Sequence, residues 1–216
     1  VTENIVVDRI RFGYHGSVEV ARRILRLARR PDDDTGLTEN VELSQYDVAD
    51  PFARLRGGDL DVMTVKFGLR EPDLDHSAVL DTDARAAVLG AHHPLAGRAS
   101  VSIEELAEYD SFDRPGRMPG YIWDEVVPPR TPGGRAIRRV HRLSDAAAMM
   151  DLVSRTDSVH ISLVSLADIA PPSVRVVPID DLPPAPVSLA WRANDVPPAV
   201  LRLVRTAEAA ALRSPR

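Results

Sequence analysis

The 216-residue sequence has 44% hydrophobic and 27% charged residues, the composition of an ordinary folded domain with ample mass for a core. Its formal net charge of -5, from 32 acidic and 27 basic side chains, argues against a nucleic-acid footprint, and the lack of cysteine excludes disulfides, thiolate chemistry and cysteine-based zinc sites. No apolar run approaches the roughly 20 residues of a membrane span, Val1-Thr2-Glu3-Asn4 does not open a signal peptide, and a cytoplasmic location is expected.

Ile10, Phe12 and Tyr14 alternate with Arg9, Arg11 and Gly13, which predicts a first strand. Val18, Ala21, Leu25 and Ala28 then recur at helical spacing, and this helix is expected to end before Pro31 and the Asp32-Asp33-Asp34 loop. Val41 and Leu43 predict a second strand, residues 47–57 a helix stopped by Gly57-Gly58, and residues 62–67 a buried third strand. The next strand is expected over 84–90. Ser102 with Glu105 three residues on is a capping box that opens another helix. A short helix is expected over 121–127. Over 136–143, alternating apolar and basic residues predict a strand, and Ser144-Asp145 then caps a helix with Ala146, Met149, Met150 and Val153 on its inner face. Strands follow at 159–163, 174–179 and 187–191. Pro197-Pro198 opens a last amphipathic helix carrying Val200, Leu203, Val204 and Ala207. Strands alternating with helices predict an α/β fold with largely parallel sheets. The 18 prolines punctuate element boundaries, and there is no internal repeat or low-complexity tract.

Two segments carry a resemblance. Arg54-Leu55-Arg56-Gly57-Gly58-Asp59-Leu60-Asp61-Val62 holds a "G-x-L-D-V" turn, and His92-His93-Pro94-Leu95-Ala96 holds an "H-P-L-A" turn. With the late strand ending in Trp191, their order and spacing resemble the effector-binding domain of LysR-type transcriptional regulators from about Arg9 to Ala211. The resemblance implies a two-lobed, type 2 periplasmic-binding-protein-like α/β fold with two crossover strands and the ligand held between lobes. It implies lobe I over 8–68 plus 164–216 and lobe II over 69–163, with crossovers near Phe67-Gly68 and His160–Ser162. Two departures stand out. Arg155-Thr156-Asp157-Ser158-Val159 occupies the place of a family "G-x-G-I" turn, and the family's N-terminal winged helix-turn-helix is absent from this sequence. DNA is therefore expected to be a partner only through a domain that this chain lacks.

Candidate effector-binding residues cluster at the predicted strand ends. Gly16 and Ser17 open the first helix, where unpaired N–H groups and the helix dipole favour an anion; Ser17 reads equally as a simple N-cap. Tyr14 and His15 sit at the same strand end, and Lys66, Phe67 and Gly68 at the expected hinge. In the second half, Phe112 follows a strand, Arg114 is a cation placed to pair with a carboxylate or to be solvated, Ser144 is a cap, and His160 lies at the second crossover. The six histidines include the adjacent His92-His93 but no i, i+4 pair, so no metal site is expected, and no cofactor is implied. Arg22-Arg23 and Arg138-Arg139 read as solvated edges.

The favoured function is the effector-sensing and oligomerisation domain of a LysR-type regulator, with a small carboxylate the modest favourite among effectors. The resemblance implies a homodimer or tetramer built through the helices over Val18–Arg30 and Ser144–Arg155, with Ile24 and Met149 buried at the interface. No membrane partner is expected. The alternative is a solute-binding protein for transport. An enzyme on this scaffold, such as a prephenate dehydratase-like lyase, lacks its Thr-Arg-Phe motif and a convergent acid/base set.

Overall fold

The computed structural model describes residues 9–29, 38 and 40–213; the expected Pro31–Asp34 loop and Arg30 lie outside the described residues. The chain forms two compact units: unit 1 holds 1–46, 52–81 and 186–216, and unit 2 holds 47–51 and 82–185.

Unit 1 is built on a sheet in the order β2 (Val41–Gln45), β1 (Ile10–Tyr14), β3 (Val62–Val65), β11 (Ala185–Arg192), β4 (Leu74–His76). The β2–β1 and β1–β3 pairs are parallel, in register Phe12 with Leu43 and Phe12 with Val62. β11 runs antiparallel to both of its neighbours. Helix α1 (Val18–Ala28) buries Val20, Ala21, Ile24 and Ala28 at helical spacing. Helix α6 (Pro198–Ala211) buries Ala199, Val200, Leu203, Val204 and Ala207 in the same cluster, with Phe12, Leu189 and Trp191. Each fully buried leucine or phenylalanine here contributes roughly 1.5–3 kcal/mol of transfer free energy.

The first motif forms the joint between helix α2 (Ala53–Arg56) and β3. Gly58 takes the left-handed conformation (φ 78°) that closes the helix, and the N–H groups of Asp59 and Leu60 return to the Arg54 carbonyl. Asp61, buried at 5% exposure, then clamps β1. Its Oδ2 accepts from the Arg11 backbone N–H at 2.8 Å and from Nε at 3.0 Å, while its own N–H donates to the Arg11 carbonyl. Burial alone would raise this carboxyl's pKa. The Arg11 hydrogen bonds and the positive charges of Arg11 and Arg192 outweigh burial and hold it below the usual value.

The chain leaves unit 1 within β5 (Asp81–Asp83), which pairs with β11, and returns within β11. Unit 2 contains an antiparallel sheet, β10 (Val174–Pro178), β6 (Arg85–Gly90), β9 (His160–Leu163), and a parallel pair, β7 (Asp110–Asp113) and β8 (Arg138–Arg142). Helices α3 (Ile103–Leu106), α4 (Gly120–Val126) and α5 (Ala146–Arg155) belong to this unit. Its buried side chains include Val88, Ile103, Phe112, Ile122, Trp123 and Val153. The capping box on α3 is present: Ser102 accepts from Glu104 N–H and Glu105 from Ser102 N–H.

Several expectations need correction. The sheets are mixed rather than largely parallel, because β11 inserts into unit 1 from the far end of the chain and the β10–β6–β9 sheet is wholly antiparallel. The unit bounds are not 8–68 plus 164–216 against 69–163. Residues 69–81 stay with unit 1, where β4 hydrogen-bonds β11, and 164–185 stay with unit 2, where β10 pairs with β6. The chain thus passes at 81/82 and 185/186, away from Phe67-Gly68 and His160–Ser162. The helix expected over 47–57 forms only at Ala53–Arg56. In β8 the polarity is reversed: Val140 is 57% exposed, while Arg139 turns inward. A β-bulge between Ser111 and Phe112 shifts the register there, and Arg139 holds Asp124 at 2.7 Å and donates to the Val127 carbonyl that ends α4.

Candidate functional site

In unit 1 the turn from β1 into α1 brings Tyr14, His15, Gly16 and Ser17 together. Gly16 adopts φ 70°, where a Cβ would be strained, and this lets the chain reverse into the helix. Ser17 is 1% exposed, and its hydroxyl accepts the Glu19 N–H at 3.1 Å. The cap half of its double reading is therefore present, at the N-terminus of an 11-residue helix that follows the carboxyl end of a strand. His15 Nδ1 lies 3.3 Å from the Tyr46 carbonyl oxygen, and its ring centroid is 5.6 Å from that of Tyr46. Tyr46 is a residue that sequence reasoning missed. It follows β2, donates its hydroxyl to the Thr64 carbonyl at 3.0 Å, and burial pushes its phenol pKa well above the ordinary value. No sequence signal marked it: the parallel register that sets Tyr14 beside Gln45, the residue before Tyr46, comes only with the fold.

Lys66 is half-buried just past β3, and Phe67 is buried with its ring edge-on to Phe52 at 6.2 Å. Phe67 is thus a packing residue of unit 1.

Unit 2 joins two of its four candidates. Phe112 and His160 meet edge to face at 5.3 Å, and Trp123, which the sequence reading did not single out, stacks on His160 at 6.0 Å and 19°. His141 completes this group, 5.5 Å from Phe112 with Nε2 2.8 Å from the Ser158 hydroxyl. All three ring partners are buried: Phe112 at 1%, Trp123 at 2% and His160 at 5%. Arg114 and Ser144 are exposed. Arg114 donates its backbone N–H to the Asp113 carboxylate at 2.7 Å, and Ser144 donates its hydroxyl to Asp145 at 3.1 Å. Asp145, rather than Ser144, is the cap of α5, accepting from Ala148 N–H at 2.8 Å; that bond and the Ser144 hydroxyl hold its carboxyl below the usual range.

The second motif has a purely local task. His93 is 3% exposed, its Nδ1 accepts the Leu95 N–H at 3.1 Å, and its ring packs 4.4 Å from that of Tyr109. Accepting at Nδ1 fixes the neutral tautomer with the proton on Nε2, and burial lowers its pKa. Among the described residues no group of three or more His, Cys, Asp or Glu is arranged to hold a metal ion, and no helix is long and apolar enough to cross a membrane.

The family model for the LysR substrate binding domain matches residues 39–211. Among solved structures, full-length CbnR complexed with its target DNA superimposes with a TM-score of 0.71 at 19% identity, over 95% of this chain and 71% of that one. The effector-binding domain of QuiR in complex with shikimate gives 0.69 at 18% identity, covering 94% and 97%. The BenM effector-binding domain with its effector benzoate gives 0.65 at 17%, covering 93% and 90%. No curated protein matches the sequence.

Proposed function

This chain belongs to the LysR substrate-binding-domain family, and from that premise we propose that it is the effector-sensing domain of a LysR-type transcriptional regulator. The observation that carries the reading is the family match over 39–211 on a fold shared with effector-binding domains. An effector with different affinities for two arrangements of the protein would shift their populations, which is the only way binding alone can be transmitted. On this reading the protein is a cytoplasmic non-enzyme, and DNA recognition is the work of a segment outside the matched region. The same family match favours a regulator over a transport receptor.

Two features support a small carboxylate as the effector class. One is the β1–α1 turn of unit 1, where Ser17 caps a helix N-terminus beside His15 and Tyr14. The other is the exposed Arg114 guanidinium of unit 2. The proteins of similar fold include one bound to shikimate and one to benzoate, both carboxylates. Calorimetric titration of the protein against a panel of small carboxylates that includes these two is expected to yield a saturable ligand. Ser17→Ala and Arg114→Ala should each weaken it by about tenfold, the worth of one charge-assisted hydrogen bond. A ligand that binds both variants as tightly as the parent would remove these residues from the site. A panel without any ligand would count against the carboxylate class.

We further propose a homodimer or tetramer that uses the outward faces of α1 and α5. Ile24 and Met149 cannot serve as its contacts, since both are already buried in the cores of their own units, at 0% and 2% exposure. The half-buried Leu25 of α1 and Leu152 of α5 replace them as the apolar contacts of the proposed interface. Sedimentation velocity should give a dimer for the parent and a monomer for Leu152→Glu with unchanged circular dichroism. A parent that stays monomeric at high concentration would reject the interface.

A further inference from the structure

The two units divide the charge unevenly. Unit 1 carries 16 basic and 16 acidic residues, unit 2 carries 11 and 16, so the whole net charge of the chain resides in unit 2. Within the neutral unit, the outward stripe of α6 is one-sided. Arg202 and Arg205 are exposed along it and Arg213 just beyond its end, and the helix has a single carboxylate, Glu208. That carboxylate is held elsewhere, accepting the Ala78 N–H at 2.8 Å.

Arg205, Thr206, Ala209 and Arg213 line one open depression of ≈ 330 Å³ among the described residues. Arg205 and Ala209 stand one turn apart on α6, and Arg213 follows two residues beyond its last residue, Ala211, with the small, exposed Ala209 between the two arginines. A cation near a helix C-terminus is favoured by the dipole, which by itself accounts for Arg213. It does not account for Arg205 at mid-helix, nor for two guanidiniums and a hydroxyl lining one depression with no described carboxylate in ion-pair contact with either arginine.

From this geometry we propose that the α6 groove is an anion site that takes a phosphate group. Two guanidiniums bring two positive charges and more N–H donors than one carboxylate has lone pairs to meet. A phosphate matches them in both charge and oxygen count. The phosphate can belong to a small molecule or to a nucleic-acid backbone, and the chemistry recognised is the same. The site is independent of the effector reading, since none of its residues belongs to the β1–α1 turn or to the Arg114 region.

The test uses the full chain and the double variant R205Q/R213Q, whose changes are exposed and should leave the thermal midpoint unmoved. Inorganic pyrophosphate is titrated by calorimetry in one arm, and a short DNA duplex of arbitrary sequence by fluorescence anisotropy in the other. Saturable pyrophosphate binding that weakens about tenfold or more in the double variant establishes a site for free phosphate compounds. If only the duplex binds, and the double variant loses affinity with a salt dependence shallower by about one to two phosphate contacts, the backbone is the source. Binding of neither probe, or equal binding by parent and double variant, overturns the proposal. The effector titration is unaffected by any of these results.

Discussion

Asp61→Ala is expected to cost unit 1 about 2–3 kcal/mol, the sum expected from losing charge-assisted bonds and leaving a buried donor unmet. The carboxylate accepts the Arg11 backbone N–H and grips the guanidinium of the same residue at both Nε and Nη2. Alanine removes all three bonds, including the one that the backbone amide of a strand interior donates. Arg11 itself is 44% exposed in its side chain, so its freed guanidinium regains water. This keeps the loss at the low end of what breaking a buried ion pair costs. A pH dependence follows from the same contact. The folded-state pKa of Asp61 lies below the ordinary carboxylate value, so its stabilisation is complete above about pH 4 and is lost as pH falls through the folded value. Urea titrations between neutral and acid pH should therefore show a smaller acid-side loss in Asp61→Asn than in the parent. Equal slopes would mean that the clamp does not discriminate between protonation states.

The second large effect is expected in unit 2. Phe112→Ala should lose about 3–5 kcal/mol, the usual result of emptying a fully buried phenylalanine. The ring is 1% exposed and is packed by both His141 and His160, so neighbours cannot collapse into its place without breaking the edge-to-face contacts. The protein carries a reporter for each case, because its two tryptophans fall one to a unit: Trp191 in unit 1 and Trp123 in unit 2. In a Trp191→Phe background, fluorescence follows unit 2 alone and should show the loss for Phe112→Ala. In a Trp123→Phe background it should show the loss for Asp61→Ala. An effect on Phe112→Ala below about 1 kcal/mol would indicate that the ring lines open space rather than core.

Much of this architecture was legible in the order of residues. Alternation marked β1, helical spacing marked α1 and α6, and the Ser102–Glu105 pair marked the start of α3. The "G-x-L-D-V" turn identified the family, and its aspartate proves to be a strand clamp. What was hidden had long-range causes. The position of β11 between β3 and β4 depends on residues more than a hundred apart in sequence, which no local period encodes. Arg139 turns inward because α4 ends beside it and offers the Val127 carbonyl, so its burial is set by a neighbour rather than by strand alternation. The candidate residues were legible in type, and the fold supplies their surroundings. Ser17 at its helix start was found, whereas Phe67, Phe112 and His160 were named as binding residues and are buried among aromatic rings. Tyr46 and Trp123, which organise those surroundings, follow or precede no motif and needed the fold to be seen.

The insertion of β11 and α6 into unit 1 also decides the order in which the protein is completed on the ribosome. The middle residues of unit 2 are contiguous from 82 to 185, so its strands can pair while residues 186–216 are still in the exit tunnel. Unit 1 has no such freedom. The strand that joins β3 to β4 and the helix that packs on α1 come almost wholly from 186–216, and until they emerge the faces of β1, β3 and α1 lack the side chains that bury them. Unit 1 is therefore completed after unit 2, and a nascent chain stalled short of Trp191 presents Phe12, Ile24 and Val62 to whatever chaperone meets it.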